Sequence, residues 1–187
     1  MNLFLSQGYL NKKSVIDSNV DFTLLEPLLE ITQIEDIMPI LGSDFYDELE
    51  ALAIPPASGL TGQKKILVDK YIIPCMLHYF MARSTPLFKF KYTNKGLMEK
   101  NSDNSNPISS SDLRILVDEH KNLAESYKKR LIDYIKINAV SFPTYFTASN
   151  TTLVLPDKEA FESTIFLPDG KDSNKPYPNW GDTRNHD

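Results

Sequence analysis

The chain has 187 residues, 41% of them hydrophobic, 11% aromatic and 24% charged, enough apolar material for one ordinary domain with a core and the wrong composition for a disordered or fibrous chain. Its 20 basic and 25 acidic residues leave a net charge of −5, which argues against a protein whose main task is gripping a phosphate backbone and restricts any nucleic-acid contact to a local patch. The single cysteine, Cys75, excludes an intrachain disulfide framework and a thiolate-rich zinc site, and three widely spaced histidines offer no metal-ligand cluster, so no cofactor is expected.

Residues 1–20 read as an N-terminal arm that pairs as a short strand. Met1 to Gly8 carries no basic region and only three consecutive apolar residues, so no secretory leader is expected and the product stays in the cell that translates it. Asn19-Val20-Asp21 then offers cap chemistry for a helix from Phe22 to Met38, whose Leu24, Leu25, Leu28, Leu29, Ile31, Ile34 and Ile37 recur at helical spacing on one broad buried face. Pro27 either opens this helix or bends it. Pro39 and Gly42 end it, and Ser43 starts a short second helix to about Leu52, with Asp44, Asp47 and Glu48 in its first turns. Past the turn-rich residues 54–59, Thr61 caps a third helix from about Gly62 to Arg83. From Tyr71 to Ala82 it is apolar on nearly every side, broken by Pro74 and His78 and too short for the ~20 residues of a membrane span. That stretch reads as buried core, kinked at Pro74.

The period then changes. Phe88, Phe90 and Tyr92 alternate with Lys89, Lys91 and Thr93, Asn94-Lys95-Gly96 turns the chain, and Leu97 to Lys100 returns it, the pattern of a β-hairpin over 88–100. A Ser/Asn-rich loop follows, and Ser109 with Asp112 begins the longest helix, about Asp112 to Asn138. One face of it carries Leu113, Leu116, Val117, His120, Leu123, Ala124, Tyr127, Leu131, Tyr134 and Ile135. Its length of about 40 Å is large for this chain, so part of it should pack on another subunit or on the hairpin. Residues 139–187 hold five prolines and no helical period, and read as an extended arm. Within it Leu153-Val154-Leu155-Pro156-Asp157 and Ile165-Phe166-Leu167-Pro168-Asp169 repeat twelve residues apart, short β-prone runs suited to strand addition on a partner. The fold class expected is mainly α: a bundle of about four helices over 21–138, with a β-hairpin insertion and an extended C-terminal arm bearing short strands.

Reactive constellations are few. Cys75 and His78 share a helix face, the minimal arrangement for an activated thiol, but in the most apolar stretch of the chain they read as inert core. Asp44, Asp47, Glu48 and Glu50 read as a solvated helix end rather than an acid/base pair. The Phe88-Lys89-Phe90-Lys91-Tyr92 run, with Lys95 and Lys100, alternates rings and cations as single-strand nucleic-acid platforms do, and also as any half-buried strand does. Lys128-Lys129-Arg130 suits the end of a helix dipole. No phosphate-binding glycine loop, metal-binding His-Glu-x-x-His or nucleophile-elbow motif occurs, so no enzyme is expected.

Asn19-Val20-Asp21, the Leu24-Leu25-Glu26-Pro27-Leu28-Leu29 helix, Pro39-Ile40-Leu41-Gly42-Ser43-Asp44-Phe45-Tyr46, Tyr71-Ile72-Ile73-Pro74, Thr93-Asn94-Lys95-Gly96 and the Tyr127 to Ile135 helix follow in an order that resembles the head-tail connector (adaptor) proteins of tailed bacteriophages, in particular those of crAss-like phages and Bacteroidetes prophages. The resemblance spans about residues 10–145. It implies a structural virion protein in the neck and tail region, made in the cytoplasm of the bacterial host. Twelve copies would form a ring beneath the portal protein, extend the DNA conduit and dock the next tail component, with no membrane contact. A net-acidic ring would let packaged DNA slide without specific binding. Ring closure needs two different patches per subunit, and Phe88, Phe90, Tyr92, Leu97, Leu153, Leu155, Ile165, Leu167 and Trp180 are the expected inter-subunit contacts. The alternative is a helical nucleic-acid-binding or regulatory module acting through the Phe/Lys hairpin.

Overall fold

A computed structural model describes residues 3–16, 20–53, 59–94, 96–99, 108–147 and 154–157. The described chain is mainly helical. Its elements are α1 (Gln7–Lys13), α2 (Phe22–Thr32), α3 (Met38–Leu41), α4 (Ser43–Leu52), α5 (Gly62–Leu67), α6 (Ile73–Lys89), two short paired segments β1 (Phe90–Thr93) and β2 (Gly96–Glu99), α7 (Ser110–Ile137) and α8 (Pro143–Phe146). The pair β1/β2 is antiparallel, with Phe90 opposite Glu99 and Thr93 opposite Gly96. Helix starts follow local chemistry: Asp21 Oδ1 accepts from Thr23 N at 3.0 Å, and Ser109 Oγ accepts from Asp112 N at 3.1 Å while donating to the Asp112 carboxylate at 2.7 Å. Thr61 occupies the cap position of α5, yet its side chain makes no capping bond.

Prolines shape the helices in a way their sequence positions conceal. Gln33–Ile37 and Val68–Ile72 are single π-helical turns, each closed by a bond five residues back, Met38 N to Gln33 O and Ile73 N to Val68 O. Pro39 and Pro74 come directly after them. A proline inside an α-helix loses one hydrogen bond and strikes the carbonyl four residues back, and the wide turn opens the backbone at that point. Contrary to the expectation from sequence, Pro39 does not end its helix. The helical path continues to Leu41 and stops at Gly42, whose φ of 76° is beyond the right-handed range. Pro27 lies inside α2 and Pro86 inside α6. Helix α6 thus runs six residues past Arg83, and Phe88 belongs to its last turn instead of to a strand.

The core gathers Leu29, Ile37, Leu41, Phe45, Leu49, Leu67, Ile72 and Phe80 with Leu131 and Ile135 of α7. Both ends of the described chain join it. The segment expected as an N-terminal strand forms α1 instead, because Leu5 and Leu10 are buried on the bundle and Ser6 caps the helix between them. Phe4 N donates to the buried Gln33 Oε1 at 2.9 Å, and Gln33 Nε2 donates to Tyr46 Oη at 2.7 Å, tying the first π turn to the N-terminal segment and to α4. Beyond Asn138, where an extended arm was expected, Phe142 and Tyr145 are fully buried with ring centroids 5.7 and 6.0 Å from Phe45. The expected buried stripe of α2 is only half buried: Leu25, Leu29 and Ile37 face the core, whereas Leu24, Ile31 and Ile34 face solvent.

Candidate functional site

Two features stand out from the bundle: a corner that holds a piece of the chain's C-terminal region, and an apolar groove. The corner forms where α3 meets α4. A helix end leaves carbonyls without partners and a helix start leaves N–H groups without them, and Gly42 presents one of each side by side. Residues 154–157 satisfy both. Ser43 N donates to Val154 O and Asp157 N donates to Pro39 O, each at 3.0 Å, while Val154 N reaches Ser43 Oγ at 3.4 Å. Pro156 is buried against Gly42, where a Cβ would lie 2.8 Å from its Cδ. The Asp157 carboxylate pairs with Lys128 Nζ at 2.7 Å, and its carbonyl accepts from Tyr145 Oη at 3.0 Å. Burial, with the Asp157 charge adding to it, pushes the Tyr145 phenol up to about 12. Burial of Lys128 is outweighed by its bond to Asp157, and its ammonium is held above the usual value. Leu155, by contrast, is 65% exposed.

The groove, of about 460 Å³, lies between the N-terminal segment, the end of α6 and the start of α7. Ile16, Met81, Phe88, Leu113, Leu116 and His120 line it. Next to it the first half of α7 exposes Ile115, Leu116 and Leu123. An apolar groove with exposed apolar side chains on the same helix is a usual mark of an interaction site.

Two of the three histidines, His78 and His120, meet in space. His78 Nδ1 and His120 Nδ1 lie 3.2 Å apart, and Tyr127 stacks on His78 at 5.5 Å. Burial and then the His120 charge lower the His78 value. Forty-two positions separate them in sequence, which hides the pair from any reading of local motifs. Among the described residues no group of three or more His, Cys, Asp or Glu is placed to hold a metal ion. Cys75 is buried, its Sγ 3.5 Å from Ala124 O, and burial drives its thiol far up, opposite to what a nucleophile needs. Of the acidic residues in α4, Glu48 pairs with Lys64 and Asp44 and Asp47 are exposed.

The expected contact residues scatter. Phe88 lines the groove from α6, Phe90 begins β1 with Lys89 Nζ 5.6 Å from its ring, and Tyr92 and Leu97 are backbone partners in the β1/β2 register. Leu155 stands on the docked segment. Leu153, Ile165, Leu167 and Trp180 lie outside the described residues, as do Lys95, Lys100 and the loop 101–107. Sequence reading missed the docked segment, although the aromatic cluster Phe142-Pro143-Thr144-Tyr145-Phe146 was a signal that the chain there returns to the core. Among the described residues no helix is long and apolar enough to cross a membrane. Neither a curated protein nor a solved structure matches the chain. A family model matches residues 37–153, from the last residue of the first π turn to the residue before the docked segment, and the chain belongs to that family, DUF6712, described as a family of unknown function.

Proposed function

We propose that this chain is a structural subunit of a tailed-phage neck, a head-tail connector that assembles as a ring beneath the portal, continues the DNA conduit and receives the next tail component. The observation that carries the reading is the apolar groove with the exposed first half of α7 beside it, Ile115, Leu116 and Leu123, an interaction surface on a chain whose sequence order resembles connectors. In this reading the copies number twelve and the role is structural, without catalysis. Residues 90–99 project as a hairpin, short strands form in the C-terminal region, and Phe90, Tyr92, Leu97, Leu153, Ile165, Leu167 and Trp180 meet neighbours. Packaged DNA passes a net-acidic lumen without being gripped. The protein is made in the host cytoplasm and resides in the virion.

Native mass spectrometry of the purified chain, alone and with a portal protein, tests this. A closed oligomer, or a monomer that joins the portal in a fixed multiple, supports it. A strict monomer that ignores the portal and shifts with short single-stranded DNA at low salt overturns it in favour of a nucleic-acid module acting through the Phe/Lys segment.

A further inference from the structure

The corner at Gly42 reads very little of the segment it holds. Of residue 154 it uses only the backbone N–H and C=O. Of residue 155 it uses nothing that confers identity, since Leu155 points largely to solvent. It takes the Pro156 ring against a position where no Cβ fits, and the Asp157 N–H, carbonyl and carboxylate. The requirement is thus an extended residue, a spacer, then Pro-Asp. The dipeptide Pro-Asp occurs twice in the chain, at 156–157 and at 168–169, and each time Leu precedes it. Phe166-Leu167-Pro168-Asp169 therefore carries each feature the corner recognises in Val154-Leu155-Pro156-Asp157, and each subunit holds two such segments for one corner.

We propose that the α3–α4 corner is a binding site for a Leu-Pro-Asp segment, and that its second ligand is Phe166 to Asp169 of another copy of this chain, which exchanges with the copy's own Val154 to Asp157 when subunits meet. A subunit's own corner is already filled by its first segment, tethered through 143–147 and so present at high effective concentration. A neighbour's second segment meets a corner that the first segment already fills, so it enters by displacing that segment when the two copies are held together. Exchange trades one set of hydrogen bonds, one buried proline and one Lys128 ion pair for an equivalent set, so its cost is the lost tether, which falls where copies are already held together, and it connects copies non-covalently through each chain's own backbone. Swapping an equivalent element in this way is a low-cost route to assembly. The proposal rests on copies of the chain meeting, as the connector reading requires, and not on a portal or a ring.

The test uses the full chain carrying P156A and D157N to empty the corner, together with P168A and D169N so that its own second segment cannot refill it, and a fluorescent peptide of residues 161–171. The peptide should bind the emptied chain roughly tenfold or more tightly than the unaltered chain, where the tethered segment competes. Adding Lys128→Glu or Gly42→Ala to the emptied chain should abolish binding, as should the same changes at Pro168 and Asp169 in the peptide. No binding to an emptied chain that keeps its helical circular dichroism, or binding indifferent to Lys128 and Gly42, overturns the proposal. If the emptied chain fails to fold, two differently tagged full chains, one Ser43→Cys and the other Phe166→Cys, are mixed under mild oxidation. A mixed disulfide formed well above that of a Ser43→Cys and Glu162→Cys pair is expected. Equal yields, or a link that forms only when both cysteines are in one chain, overturn it. The titration reads the corner and native mass spectrometry reads the ring, so either reading can fail alone.

Discussion

Replacing Gly42 by Ala probes the corner most directly. Gly42 sits at φ 76° and ψ 152°, backbone angles that a residue with a Cβ adopts at a cost of about 1–3 kcal/mol. The added Cβ would also stand 2.8 Å from Pro156 Cδ and 2.9 Å from Pro156 N, well inside van der Waals contact. The clash is relieved by releasing residues 154–157. Release breaks the bonds from Ser43 N to Val154 O and from Asp157 N to Pro39 O, about 1 kcal/mol each, so the full chain should lose about 3–5 kcal/mol. Urea unfolding followed by far-ultraviolet circular dichroism measures it. In a chain ended after Thr147 there is no Pro156 to strike, and the same substitution should cost only the backbone strain. The difference, about 2 kcal/mol, is the coupling between Gly42 and the docked segment. Equal losses in the two chains, within about 0.5 kcal/mol, would refute the reasoning and leave Gly42 needed for its backbone angles alone.

Phe142→Ala should destabilise the chain by about 3–5 kcal/mol, the range for a fully buried aromatic ring, whereas Tyr145→Phe, which removes only the bond to Asp157 O, should cost about 1 kcal/mol; a loss under about 1 kcal/mol for Phe142→Ala in the same urea assay would place the ring outside the core. Burial and His120 hold His78 below its ordinary value, so between that lowered value and about 6.5 the unfolded chain binds more protons than the folded one. Stability should therefore fall as pH drops from 7 toward 5, and His78→Asn should flatten that slope, because the carboxylate of Glu48, itself lowered, loses its contribution only in more acidic solution; identical slopes would show that His78 takes up no proton on unfolding. On the connector reading, Leu116→Glu with Leu123→Glu should leave monomer stability within about 0.5 kcal/mol and abolish any oligomer seen by native mass spectrometry, and an unaltered oligomer would move the interface elsewhere.

Helices were legible where the signal is local. Ser109 and Asp112 lie three residues apart and cap α7 because at that spacing the hydroxyl accepts from the Asp112 N–H and donates to the Asp112 carboxylate whatever the rest of the chain does. The π turns were not legible, since Pro39 reads as a terminator and Pro74 as a kink until the wide turn preceding each is seen. Phe88, Phe90 and Tyr92 alternate as a strand would, but two residues of apparent alternation also fit the last turn of a helix, and α6 claims Phe88. The site was legible only as a string. Pro39-Ile40-Leu41-Gly42-Ser43 was the most distinctive stretch of the sequence, yet its work depends on a segment more than a hundred positions away, Ser43 with Val154, and no window reaches that far. The proline content after Asn138 suggested an extension because prolines break helices. Here Pro143 opens α8 and Pro156 fills the space beside Gly42.

Helix α7 divides the molecule into a part that holds itself together and a part that does not. Its buried residues are Ala124, Leu131, Ile132 and Ile135, all in the second half. From Ser110 to Leu123 none is buried, although Leu113, Ile115, Leu116, Val117 and Leu123 lie there. A helix of that length is marginal alone, and it is held by the end of α6 and by the bond from Lys89 to Ser110 at 3.2 Å. Burying three such side chains on a partner would contribute about 1.5–3 kcal/mol each, a sum comparable to the roughly 4–15 kcal/mol that bringing two molecules together costs. One such face therefore makes at best a weak pair. In a closed ring each subunit uses two different faces and the last contact to form is intramolecular, so the association cost is met once for several interfaces. On the connector reading, a chain with a buried core and a half-exposed apolar helix would fold alone and assemble only when several contacts form together.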